Sequence, residues 1–149
     1  MKSEVNHLRL KSEFGIFALV VLLGACASTA PDSGSPDLTC LIPSNCVNSR
    51  ETGDLMPLLY VGTPAQALDL LRATVATFPE ATVVRADALG LELIFTTPVG
   101  FRDQVDFRID AQAQRINFRS RSLFGLFDFG KNSSRMHEFT TRFEQLSRR

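Results

Sequence analysis

The sequence predicts an α+β domain, an antiparallel sheet of about four to five strands with two helices packed on one face. Three observations carry this. From Phe101 to Arg121 apolar and polar residues alternate in two runs divided by the polar break Ala111-Gln112-Ala113-Gln114, the pattern of a β-hairpin. Leu68, Leu71, Val75 and Phe78 recur at helical spacing, and so do Met136, Phe139, Phe143 and Leu146. Two such stripes need one apolar surface to cover, and a single sheet face serves both.

Lys2, Arg9 and Lys11 precede an apolar run from Phe14 to Leu23, closed by Leu23-Gly24-Ala25-Cys26. This is the grammar of a secretory signal. Its apolar stretch is well short of the ~20 residues a spanning helix needs, so a permanent span is not expected. The closing four residues resemble a bacterial lipobox, which implies that Cys26 is acylated and becomes the mature N-terminus. The resemblance implies a membrane partner through the lipid, facing the periplasm or the outside. Ala27 stands where inner-membrane lipoproteins often carry Asp, which favours the outer membrane. The other reading is an ordinary signal with a coincidental cysteine. The expected organisation is a signal over 1–25, the acylated Cys and a tether over 26–39, and one domain over 40–149. Ala27 to Asp37 is small, polar and rich in Pro, Ser and Gly, as a tether is.

Without the first 25 residues, 13 Lys or Arg face 14 Asp or Glu, so net charge favours no nucleic-acid partner. The distribution is uneven. Residues 101–149 hold ten Lys or Arg and six Asp or Glu, and nine of those ten are Arg. Arginine forks suit carboxylates and phosphates, and they also make ordinary surface ion pairs. With Cys26 lipidated, Cys40 and Cys46 remain in an oxidising compartment, which favours a disulfide over a metal site. A reactive Cys46 is the alternative. The histidines are His7 and His137, so no Cys-His or Ser-His-Asp arrangement has an obvious base.

Leu55 to Val61 reads as an opening strand. Thr63-Pro64-Ala65-Gln66 starts a helix with Pro in the first turn and a capping-box Gln, and Pro79 stops it. Thr82 to Ala86 is a second strand. Leu89, Leu91, Leu93 and Phe95 alternate with Gly90, Glu92, Ile94 and Thr96 in a third, and Thr97-Pro98-Val99-Gly100 fits a hairpin loop with Gly in the left-handed position. Beyond it Phe101, Asp103, Val105, Phe107 and Ile109 share the core side, leaving Arg102, Gln104, Asp106, Arg108 and Asp110 on the other. The Gln-rich turn opposes Ile109 to Ile116, Phe107 to Phe118 and Asp106 to Arg119, and the preceding turn opposes Glu92 to Asp106. A candidate site follows on the polar face: Glu92, Asp106 and Arg119 in a row, with Arg108 and Arg121 nearby. Its alternative is a cross-strand ion-pair ladder.

Phe124, Phe127 and Phe129 are expected to fill the edge of the core, the alternative being an exposed aromatic patch for lipid or a partner. Ser133 or Ser134 is expected to cap the last helix. No phosphate loop, dinucleotide fingerprint or zinc spacing occurs, and Asp128-x-Gly130-x-Asn132 lacks the acidic count of a calcium site. No metal or cofactor is expected, and Asp128 reads as a turn and cap residue.

CLIPSNCVNS at Cys40–Ser49 is similar to the C-P-x-S-P-N-C-V-S-S opening of the domain of unknown function 1499 family, with Leu41 and Ser44 in place of its prolines and Asn48 in place of a serine. Phe101–Phe107 resembles its F-x-D-D-x-E-F, and Arg119–Arg135 its R-S-x-S-R-x-G-x-x-D-x-G-x-N-R-x-R. Asp103, Asp106, Arg119, Ser120, Ser122, Gly125, Asp128, Gly130, Asn132 and Arg135 carry the match. Asp106 stands for a Glu, Gln104 replaces an acid, and Leu123 and Ser133 replace basic residues. The family has no established activity, so the resemblance implies a domain and a set of positions.

Three functions follow. The first is a lipid-anchored envelope protein that binds or scaffolds a protein or small ligand without catalysis. The second is a binder of a small anionic or lipid-like ligand through the arginines. The third is a hydrolase-like enzyme using the acidic pair beside Arg119.

Overall fold

The computed structural model describes residues 38–50 and 53–149. The expected signal, Cys26 and the tether through Asp37 lie outside the described residues. In chain order come a 3-10 turn at Pro43–Asn45, β1 (Cys46–Asn48), β2 (Leu58–Leu59), α1 (Pro64–Val75), β3 (Ala81–Asp87), β4 (Gly90–Thr96), β5 (Arg102–Asp110), β6 (Arg115–Ser122) and α2 (Lys131–Ser147).

Both hairpin registers follow the turn chemistry. Gly100 adopts φ 88, its N–H bonds the Thr97 carbonyl at 2.9 Å, and Thr97 N–H bonds Phe101 at 2.8 Å. Glu92 is thereby set opposite Asp106. At the second turn Gln114 takes φ 47 and the Asp110 carboxylate accepts from Ala113 N–H at 3.0 Å, which sets Phe107 opposite Phe118 and Asp106 opposite Arg119. A one-residue slip would turn every side chain to the wrong face.

The sheet is antiparallel and six-stranded, in the order β1-β6-β5-β4-β3 with β2 also on β6. It exceeds the expected four to five because β6 carries two short partners. The sequence reading missed β1, which is too short to show alternation, and overextended the opening strand, of which only Leu58–Leu59 pairs. The far edge, β3, is exposed and irregular, with a register shift between Val83 and Arg85.

Both helices lie on one sheet face. The Thr63 hydroxyl accepts from Gln66 N–H and the Gln66 side chain accepts from Thr63 N–H, forming the expected capping box on α1. Its stripe joins Met136, Phe139 and Phe143 of α2 over Leu93, Phe95, Val105, Phe107 and Phe118. Phe139 stacks on Phe78 with centroids 5.6 Å apart and lies 4.7 Å from Phe107. Aromatic pairs at such distances add to area burial.

Two expectations fail at the end of β6. Phe124, Phe127 and Phe129 are exposed rather than edge core, and Phe101 is also open to solvent. The core is already filled by Phe78, Phe95, Phe107, Phe118, Phe139 and Phe143, leaving that loop outside it. Helix α2 begins at Lys131, ahead of Ser133 and Ser134, because Asp128 serves its first turn: its carboxylate accepts from Gly130 N–H at 3.0 Å and Asn132 N–H at 2.8 Å.

Candidate functional site

The row anticipated on the polar face exists as neighbours, and its groups bond one another. Asp106, whose side chain is 1% exposed, receives Arg119 Nη2 at 2.7 Å and Nε at 3.2 Å on one oxygen. Gln104 Nε2 bonds its other oxygen and also Glu92 Oε1, each at 3.0 Å. Glu92 and Asp106 were expected to meet as bare carboxylates; the amide of Gln104 stands between their charges. Arg121 Nη2 closes the chain by donating to Gln104 Oε1 at 2.8 Å. Arg119 Nη1 donates to the Thr39 carbonyl at 3.2 Å, which ties the first described residues to this pair.

Arg108 stands apart from the row, bonding Asp87 at 2.7 Å. It lies tight over β4, where a Cβ on Gly90 would fall 2.3 Å from both Arg108 Nη1 and the Phe107 carbonyl oxygen. Burial raises the pKa of Asp87, but donation from Leu89 N–H and Arg108 outweighs it and holds the carboxyl below its ordinary 3.8. The Nε atoms of Arg108 and Arg121 are buried without a partner, so neither guanidinium presents its full fork to solvent.

A second polar network lies on the opposite face, under the start of α2. Asp103 and Ser120 break an otherwise apolar register, and the structure answers each with partners. Arg135 Nη2 pairs with Asp103 at 2.6 Å and its guanidinium lies 4.8 Å above the Phe95 ring. Ser122 Oγ donates to Asp103 at 2.6 Å, and Ser120 Oγ to Asn132 Oδ1 at 2.6 Å. Asn132, fully buried, donates to Ser122 Oγ at 3.2 Å and to the Asn45 carbonyl at 3.0 Å. Asn45 in turn bonds the Gly125 carbonyl at 2.6 Å. Buried polar groups connected in this way fix one arrangement of the elements bearing them. Sequence reasoning had these positions, and Asn45 stood in the matched CLIPSNCVNS opening without being singled out as a site residue.

The disulfide joins Cys40 to Cys46 with Cα atoms 5.5 Å apart, so Cys46 is not a nucleophile in this state. The loop it closes holds the aromatic loop after β6. Ser44 Oγ bonds the Leu126 carbonyl, and Asp128 N–H bonds the Ser44 carbonyl at 3.2 Å. Gly125 supplies the φ of 86 that this loop needs.

Between that loop and the Thr97–Gly100 turn lies a groove of about 800 Å³ lined by Val99, Phe101, Phe124, Phe127 and Phe129, with Arg102 and Lys131 among them. Asp103 and Ser122 reach it from the second network. The Ser122 hydroxyl is committed to Asp103, which is itself paired with Arg135, and His137 bonds Asp54. Among the described residues Ser122 therefore has no histidine base. None of Glu92, Asp106, Arg108, Arg119 and Arg121 lines this groove. No group of three or more His, Cys, Asp or Glu among the described residues could hold a metal ion.

Among proteins of curated function none matches the chain. A family model described as "Protein of unknown function (DUF1499)" matches residues 38–143, from the buried Leu38 through Phe143 of α2. That span takes in the disulfide loop, the sheet, both networks and the aromatic loop, and the chain is a member of this family of unknown function.

Proposed function

We propose that the protein is a lipid-anchored component of the cell envelope whose folded domain binds a partner or ligand without catalysing a reaction. One observation carries the non-catalytic part. The carboxylates and hydroxyl that a hydrolase would draw on, Asp106, Asp103 and Ser122, are each committed to structural partners. Binding through the arginines of the polar face has less support than binding at the groove, since Arg119 is already bonded to Asp106 and Thr39. The groove is open and mainly apolar, and it suits recognition by burial of apolar surface.

The anchored part follows from the lipobox resemblance at Leu23-Gly24-Ala25-Cys26, and Ala27 favours the outer membrane. Its test is metabolic labelling with a fatty-acid analogue followed by detergent phase separation. The native chain incorporates label and enters the detergent phase, whereas Cys26→Ser incorporates none and accumulates uncleaved or soluble. Label that persists in Cys26→Ser overturns the assignment.

A further inference from the structure

The aromatic end of the sheet is surface that neither polar network explains. Phe124, Phe127 and Phe129 are 78%, 66% and 97% exposed, with Val99 and Phe101 open beside them around one groove. Apolar surface gathered in this way marks an interaction face. Phe129 adds a second cost. Its φ is 53, in the left-handed region where a bulky side chain is strained, and its exposed ring finds no packing to offset that strain. Such an outlier points to a use outside the fold.

The occupant follows from what adjoins the patch. The aromatic loop is hydrogen-bonded to Ser44 and Asn45, inside the disulfide loop of the segment that leads back to Cys26. Only the residues between Cys26 and Leu38 separate the expected acyl group from the domain, a reach of at most about 40 Å when fully extended. Arg102 and Lys131, both exposed, set two cations among the rings, while the groove's carboxylates are turned inward, Asp103 to Arg135 and Asp128 to the first turn of α2; aromatic and basic side chains together suit the headgroup level of an anionic bilayer.

We infer that this end of the domain docks on an anionic phospholipid bilayer, with the rings of Phe124, Phe127 and Phe129 in the boundary between headgroups and acyl chains. The domain then lies against the membrane instead of hanging from its tether. The inference rests on the lipid-anchored reading for which membrane the patch meets, and the two fail separately.

The protein contains no Trp, so Phe127→Trp gives a single reporter. Val61→Trp serves as the control, since Val61 is exposed beside β2, which pairs with the opposite end of β6. The full chain carrying either reporter is purified from membranes and reconstituted in vesicles of equal parts phosphatidylethanolamine and phosphatidylglycerol, with and without brominated acyl chains. The Phe127→Trp emission shifts to the blue and is quenched roughly two-fold, as expected for a ring at the acyl boundary, while Val61→Trp is unaffected. Adding Phe129→Asn, a residue that tolerates the left-handed backbone, weakens the quenching without lowering the melting temperature.

Weak and equal quenching of both reporters in protein that still floats with the vesicles overturns the docking and leaves the anchor standing. Flotation and acyl label unchanged by Cys26→Ser overturn the anchor, and quenching in that same protein still decides the docking. A blue shift that depends on protein concentration and is insensitive to bromine assigns the patch to a second copy of the chain, and overturns it too.

Discussion

Replacing Arg119 with Leu strips the Asp106 carboxylate of both guanidinium bonds in a place where the side chain is 1% exposed. The remaining donor is the Gln104 amide, which is shared with Glu92. Removing one partner of a buried ion pair costs about 3–5 kcal/mol, because the charge left behind has lost water as well as its counter-ion. The Thr39 carbonyl also loses a donor, adding about 1 kcal/mol. Against a typical domain stability of about 5–15 kcal/mol this is a large fraction. For a domain of this length it lowers the melting temperature by roughly 15–25 °C. Asp106→Asn in the same chain removes the uncompensated charge and keeps the shape, so the double variant recovers about half the loss. The assay is urea unfolding followed by far-UV circular dichroism for the wild type, both single variants and the double. A double variant no more stable than Arg119→Leu alone would refute the reasoning, since the loss would then arise from something other than the stranded carboxylate.

Alkylation without reductant leaves Cys40 and Cys46 unlabelled in mature protein, and Cys46→Ser destabilises it by about 2 kcal/mol, the entropy of so short a closed loop. Gly90→Ala destabilises by about 1–3 kcal/mol in thermal melts, since the added methyl meets the Phe107 carbonyl oxygen of the neighbouring strand. On acidification stability falls as pH drops below 3.8. Donation from Ala113 N–H leads in holding the Asp110 carboxyl below its ordinary value, and Leu89 N–H and Arg108 outweigh burial at Asp87. A group with a depressed folded pKa stabilises above its unfolded value and loses that contribution as pH falls through the folded one. The double variant Asp87→Asn, Asp110→Asn therefore loses stability at neutral pH and shows a shallower acid decline in the same melts.

Where local chemistry decides a feature, the sequence was enough. Alternation with a Gly at position 100 and a polar turn at 111–114 set both registers, so the meeting of Glu92, Asp106 and Arg119 is legible in the sequence. Thr63 and Gln66 three residues apart announced their reciprocal cap. Where a contact is long-range, the sequence showed half of it. Asp103 falls on the apolar side of its strand, but nothing local to it names its partner Arg135, and Asn132, which extends the apolar stripe of α2 by one turn and bonds Ser120, is polar and does not register as part of that stripe. The phenylalanines after β6 alternate with Gly and Asp, a pattern that suits a packed loop and an exposed patch alike. Composition cannot tell a buried ring from an exposed one once six others have filled the space. Asp128 is legible as a cap residue, but the serines look like the better helix start, because the position that precedes α2 is Gly130 in a left-handed conformation with no side chain to mark it.

The margins of the sheet bear on how closely copies of this protein can crowd. An open sheet presents two rows of backbone groups to which a neighbour's strand can add. On one margin that row is divided between β1 and β2, each only a few residues long and at opposite ends of β6. On the other, the shift between Val83 and Arg85 breaks the spacing that a straight incoming strand would have to match, and Arg85 sets a charge beside the break. A chain held to a surface meets its neighbours at high local density and in a shared orientation, the situation in which unguarded strands fuse into continuous sheets. Both margins here are interrupted, so crowding alone does not make one copy a template for the next.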